Sequence, residues 1–152
     1  MGLNKNVTYE HIVSQFQLAC DEHLAIASFD SGTIDYLDAS AVNRLYPYIF
    51  LRPTSTVQAN RVRVLSFELY SLDQPKVASS SNIPVISNTE LYMYDLMAWF
   101  NFGPTERQQS WEVDLISAIP VNEAFEDRLF GWMGNVTVTT PWIEDYCAYP
   151  KL

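Results

Sequence analysis

The order of hydrophobic patterns along this chain predicts an α+β fold: one mainly antiparallel sheet of about four strands, drawn as two hairpins, with two helices packed on it. Three observations predict it. Apolar residues recur at helical spacing near the start and again around residue 95. The run Arg61–Tyr70 is the longest strand-like segment. The last third of the chain alternates apolar and polar residues. With 152 residues the chain suits one domain spanning 1–152, large enough to bury a core without a disulfide or metal staple. Residues 1–7 and 141–152 are expected to be extended docking segments.

The first helix is expected from an N-cap at Thr8, through Ile12, Phe16, Ala19 and His23, to about Leu24. Phe29–Ile34 reads as a tight turn around Gly32. Tyr46–Leu51 reads as a strand bracketed by Pro47 and Pro53. A polar connection over Thr54–Asn60 then leads into the strand Arg61–Tyr70, the two strands making a long hairpin. Ser87 and Glu90 have capping-box spacing and open a second helix that Gly103-Pro104 ends. That helix is apolar on almost every face, as expected of one covered by the sheet on one side and by something else on the other. Trp111–Ile119 and Phe130–Thr140 supply two more strands, and the last residues an extended tail.

Composition narrows the function. Eighteen acids against nine bases give a net charge of -9, which argues against general nucleic-acid binding because phosphates need surplus Lys and Arg. No secretory leader is expected from the N-terminal residues, and no apolar run is long enough for a membrane span. The aromatic content of 14% exceeds what a lone small domain needs and points to contact surfaces. Charge is also unevenly placed. Residues 44–76 hold Arg44, Arg52, Arg61, Arg63 and Lys76 against Glu68 and Asp73, a local net of +3, while the remainder carries -12. A basic hairpin on an acidic body lets one copy meet the next head to tail, the arrangement that closes rings.

A search for catalytic chemistry yields little. His11 and His23 are twelve residues apart on one helix, too far to share a metal. Cys20 and His23 are close enough to touch, but a buried thiol is the simpler reading. Asp30, Asp35 and Asp38 form an acidic group without the alternating ligands of a calcium loop. Glu123, Glu126 and Asp127 lack a His or Cys partner. The expectation is a non-enzyme with no cofactor and no metal; a small metal-dependent hydrolase built on the three aspartates is the lesser alternative. An intracellular protein-binding adaptor or chaperone is the other.

The segment Phe125-Glu126-Asp127-Arg128-Leu129-Phe130-Gly131-Trp132-Met133-Gly134-Asn135-Val136-Thr137-Val138-Thr139-Thr140-Pro141-Trp142, followed by Cys147 and Pro150, resembles small virion proteins of tailed bacteriophages, structural proteins of crAss-like phages among them. The resemblance implies a neck or tail ring component of the tail-terminator (tail-completion) or connector type, or a ring of the tail barrel. It implies self-association into a ring, six- or twelve-fold, beside portal, connector or tail ring proteins. DNA would pass through its lumen without specific binding. Its location would be the virion neck or tail, after assembly in the host bacterial cytoplasm, with no membrane partner. Gly131, Trp132, Thr140, Pro141 and Cys147 match the pattern, with packing and tail docking as the implied roles; Tyr146 stands where the pattern carries a basic residue. The interface residues expected on these grounds are Arg52, Arg61, Arg63, Lys76, Trp99, Trp132, Trp142 and Tyr146.

Overall fold

The computed structural model describes residues 6–33, 44–75, 82–102, 111–124 and 128–143. In chain order the elements are α1 (Tyr9–Glu22), β1 (Ser28–Ser31), β2 (Tyr48–Ala59), β3 (Val62–Asp73), α2 (Ile83–Phe102), β4 (Glu112–Ala124) and β5 (Leu129–Pro141). The strands form one five-stranded mixed sheet in the order β1-β2-β3-β5-β4. The α+β fold with two helices and two hairpins is therefore present, with one strand more than expected.

That extra strand is β1, which lies where a tight turn was expected. It pairs in parallel with the first four residues of β2. The Ser28 and Ser31 hydroxyls donate to the carbonyls of Leu45 and Leu51, so the polar residues that suggest a turn instead fasten an edge strand.

The hairpin is also longer than the sequence pattern suggests. Thr54–Ala59 belongs to β2, and only Asn60 and Arg61 turn the chain, at φ 54° and 63°. Two consecutive positive φ values match the right-handed twist of the flanking strands, as in a two-residue type I′ turn. A register shift between Pro53 and Ser55 leaves Thr54 without a partner on β3, a bulge directly after the proline, which pairs with Phe67.

Helix α1 starts as expected: the Thr8 hydroxyl accepts from the His11 N–H. It stops at Glu22, with His23 as an extended C-cap. Helix α2 begins at Ile83 rather than at Ser87. Pro84 suits a first turn, where its missing N–H has no intrahelical partner to lose, and the Ile86 N–H reaches the Asn82 carbonyl. The Ser87–Glu90 pair therefore lies inside the helix.

Both helices cover one face of the sheet. Ile12, Phe16, Ala19 and Cys20 of α1, and Met93, Leu96, Met97 and Phe100 of α2, pack with Ile49, Leu51, Leu65, Phe67, Leu69, Val113, Val136 and Val138. Phe16 and Phe100 meet at 4.6 Å between ring centroids and join the helices. Each fully buried side chain of this size contributes roughly 1.5–3 kcal/mol by leaving water. The opposite face buries a smaller group, Tyr48, Phe50, Leu72 and Leu129, against Tyr46, Tyr70 and Val121.

The described parts of the two terminal segments dock on the domain itself. The Asn6 amide donates to the Ile143 carbonyl at 2.7 Å and accepts from the Ile143 N–H at 2.8 Å. The Trp142 N–H donates to the Arg61 carbonyl in the hairpin turn at 2.8 Å. No helix among the described residues is long and apolar enough to cross a membrane.

Candidate functional site

The hairpin places its arginines unequally. Arg52 sits beside Glu68 on the facing strand and pairs with it. Arg63 lies over the Trp142 ring, 4.7 Å from its centroid, and donates to the Val7 carbonyl; burial pushes its guanidinium below the ordinary value. Arg61, in the turn, is exposed. Arg44 is buried, with its guanidinium 4.7 Å from the centre of the Tyr48 ring. Most of the basic character expected of this region therefore meets partners within the chain, and the tip retains Arg61 and the half-buried Arg63.

The tryptophans are also used internally. The Trp99 indole donates to Glu22 and ties α2 to α1, and its ring meets Phe100 edge-on. The Trp132 indole donates to the Ile86 carbonyl at 2.8 Å and ties β5 to α2. Trp142 is held against Arg63. Lys76 and Tyr146 lie outside the described residues, as does Cys147.

The outward-facing apolar surface lies elsewhere. Helix α2 buries Thr89, Met93, Leu96, Met97 and Phe100, while Ile83, Leu91, Tyr94 and Phe102 remain exposed, Phe102 at 84%. Leu91, Tyr94, Ala98 and Phe102 follow one another at helical spacing, so they form a second stripe along the flank of the helix that borders β4. Beside that stripe lies β4, the last strand of the sheet, which turns Val113, Leu115 and Ala118 toward the helices and the exposed Ile119 to the opposite face. Between helix and strand runs an open groove of about 330 Å³ lined by Tyr94, Met97, Ala98, Asn101, Phe102, Val113, Asp114 and Leu115. Its floor is fixed by the Asn101 amide, which donates to the Val113 carbonyl at 3.1 Å.

The two elements that wall this groove carry charge of one sign. Helix α2 contains Glu90 and Asp95, β4 begins with Glu112 and Asp114, and neither element holds a Lys or Arg. The exposed apolar stripe was legible in one respect only: a helix apolar all round must contain two stripes. The sequence pattern could not say which stripe faced the sheet.

The residues weighed for catalysis stand apart. His23 directs Nε2 to the Asp95 carboxylate at 2.8 Å and accepts the Ala25 N–H on Nδ1 at 3.0 Å. These contacts define a ring with its proton on Nε2, bridging α1 to α2 and pointing away from chemistry with Cys20. The Cys20 thiol is buried, and burial, reinforced by Asp21, pushes its pKa far up. Asp30 accepts from the Tyr48 hydroxyl at 3.1 Å; Asp35 and Asp38 lie outside the described residues. Among the described residues no three His, Cys, Asp or Glu side chains group as metal ligands.

No protein-family model matches the chain, and no curated protein matches it either.

Proposed function

We propose that this chain is a structural ring component of a tailed-bacteriophage virion, a neck or tail ring of the terminator, connector or tail-barrel type, working through contacts with copies of itself and with adjacent rings. The observation that carries the reading is the α2–β4 surface. A helix half covered by its own sheet and an open groove beside the terminal strand lie together, between two elements that hold no Lys or Arg. Such a surface is suited to burial against another protein. The sequence resemblance over 125–142 supplies the setting in which that protein is a virion component.

The mechanism is geometric. A domain with an apolar groove on one side and a projecting hairpin on another presents two unlike surfaces, and unlike surfaces generate closed rings when the rotation between copies closes. The net negative charge of -9 suits a lumen that DNA traverses without adhering, because it offers phosphates little counter-charge.

The test is the particle. Mass spectrometry of purified virions should find the chain in many copies, and electron microscopy should place it in a ring of the neck or tail. Its absence from purified particles would overturn the reading. In that case, capture of one non-virion protein on the Tyr94–Phe102 surface would favour an adaptor.

A further inference from the structure

A second hollow lies beside the first half of α2, apart from the groove next to β4. It is a cavity of about 410 Å³, within the range of small-ligand sites, about 300–1,000 Å³. Its walls come from separate parts of the chain: Tyr46 before β2, Asp73 at the end of β3, Asn82 just ahead of α2, and Asn88 and Tyr92 within it. No Lys or Arg stands among the described residues that line it.

The two aromatic walls are held from behind. Tyr92 meets the His23 ring edge-on at 5.3 Å between centroids, and the Asp95 carboxylate holds that imidazole at Nε2, 2.8 Å away. Tyr46 meets Tyr48 edge-on at 6.3 Å, and Tyr48 is buried with the Arg44 guanidinium over its ring. The Asp73 carboxylate accepts the Gln74 N–H on Oδ1 at 2.8 Å, and a carboxylate has acceptor positions beyond that one. Burial, then Asp73 and Asp95, raise the Tyr92 hydroxyl above its ordinary pKa, so the field of both carboxylates reaches the cavity wall. An anion finds little here. The first turn of α2 lacks a donor at Pro84, and the Ile86 N–H is already bonded to the Asn82 carbonyl.

We propose that this cavity binds an arginine side chain presented by another protein, its flat guanidinium lying against the Tyr46 and Tyr92 rings and donating to Asp73. A guanidinium carries five donors in one plane and stacks on aromatic faces, which matches two ring walls beside a carboxylate. The amide oxygens of Asn82 and Asn88 take donors that Asp73 leaves over. The methylene stem packs on Pro47 and Val85, the apolar part of the wall. This attachment point is separate from the α2–β4 groove and does not depend on the ring reading.

The experiment titrates the full, isotope-labelled chain with Nα-acetyl-arginine N-methylamide at constant ionic strength and follows its backbone amides by NMR. Shifts should saturate and cluster at Ala25, Asp73, Asn88 and Tyr92. The citrulline analogue, which keeps the shape and loses the charge, should cause none. Asp73→Asn should weaken binding roughly tenfold or more, through loss of a charge-assisted hydrogen bond. Tyr92→Leu should weaken it about threefold while Tyr92→Phe leaves it unchanged, because the ring face makes the contact. Should Asp73→Asn misfold by circular dichroism, Asn88→Lys decides instead: this exposed change sets a cation at the edge of the cavity and should abolish binding. Shifts that do not saturate, shifts that the citrulline analogue reproduces, or binding that survives Asp73→Asn, Asn88→Lys or Tyr92→Leu undiminished overturns the inference. The virion reading is decided separately, by the particle's own composition.

Discussion

Gly131 shows how closely the central strands approach. Its φ is 154°, and a Cβ there would lie 1.9 Å from the Ser71 carbonyl oxygen on β3. Backbone cannot withdraw as a flexible side chain can, so Gly131→Ala should lower stability by roughly 3 kcal/mol, read from urea unfolding midpoints. Thr140 presents the reverse case. It is buried, and its hydroxyl has no hydrogen-bond partner among the described residues. Thr140→Val keeps the shape, removes the unmet polar group, and should raise stability by about 1 kcal/mol.

Cys20 gives the fold an alkaline limit. Burial raises its pKa above the ordinary 9.0. Below that value both folded and unfolded chains hold the proton, and the stabilisation is complete. Above it the unfolded chain releases the proton while the folded chain retains it, so stability falls as pH rises. Tyr70, raised by burial and then by Glu68, and Tyr92, raised by burial and then by Asp73 and Asp95, extend the decline above 10.0. Unfolding midpoints should drop as pH rises from about 9 upward, and Cys20→Ala, though less stable throughout, should show a shallower drop.

Helix α2 separates packing from contact along its own length. Phe100 is buried against Phe16 and Trp111, while Phe102, two residues on, is 84% exposed. Phe100→Ala should cost about 3–5 kcal/mol. Phe102→Ser should change the stability of the isolated subunit by less than about 0.5 kcal/mol. Thermal and urea unfolding of the two variants checks the contrast, and equal losses would mean that the Phe102 side belongs to the core.

The elements differed in how plainly the sequence announced them, for physical reasons. Helix α1 was readable because Thr8 caps it and Ile12, Phe16 and Ala19 mark one face. Strand β1 was hidden because four residues, two of them serines, take strand form only through pairing with β2. The distal half of β2 was hidden because Thr54–Ala59 is exposed on every side, and an exposed strand has no alternation to display. The start of α2 was misplaced because a capping box competes poorly with a proline that fits the first turn. The tryptophans drew attention as interface candidates by their size, but the hydrogen bonds of Trp99 and Trp132 depend on helices that the chain brings to them from far away.

At the scale of the molecule, the charge division persists in altered form. The sequence suggested a broadly basic hairpin. In the fold Arg52 is matched by Glu68 and Arg63 is sheltered by Trp142, so the residual positive charge concentrates at the tip. Helix α2 and strand β4, which hold acids and no bases, flank an apolar groove. Attraction between exposed unlike surfaces is screened within about 10 Å at 0.1 M salt. Self-association of the full chain should therefore weaken as sodium chloride is raised, measured by sedimentation at fixed protein concentration. Association unaffected by salt would assign the contact to apolar burial alone.

The clasp between Asn6 and Ile143 makes residues 137 positions apart into hydrogen-bonded neighbours, and Trp142 beside it is fastened to the hairpin turn. Topologically, the chain between them is a nearly closed loop. An event at one side of the clasp must be felt at the other. Loosening the segment before α1 frees the end of β5, and with it the ring that shelters Arg63 in the hairpin. Asn6→Ala should accordingly speed amide exchange at Trp142 and Ile143 together, a disturbance written near one end of the sequence and read out near the other.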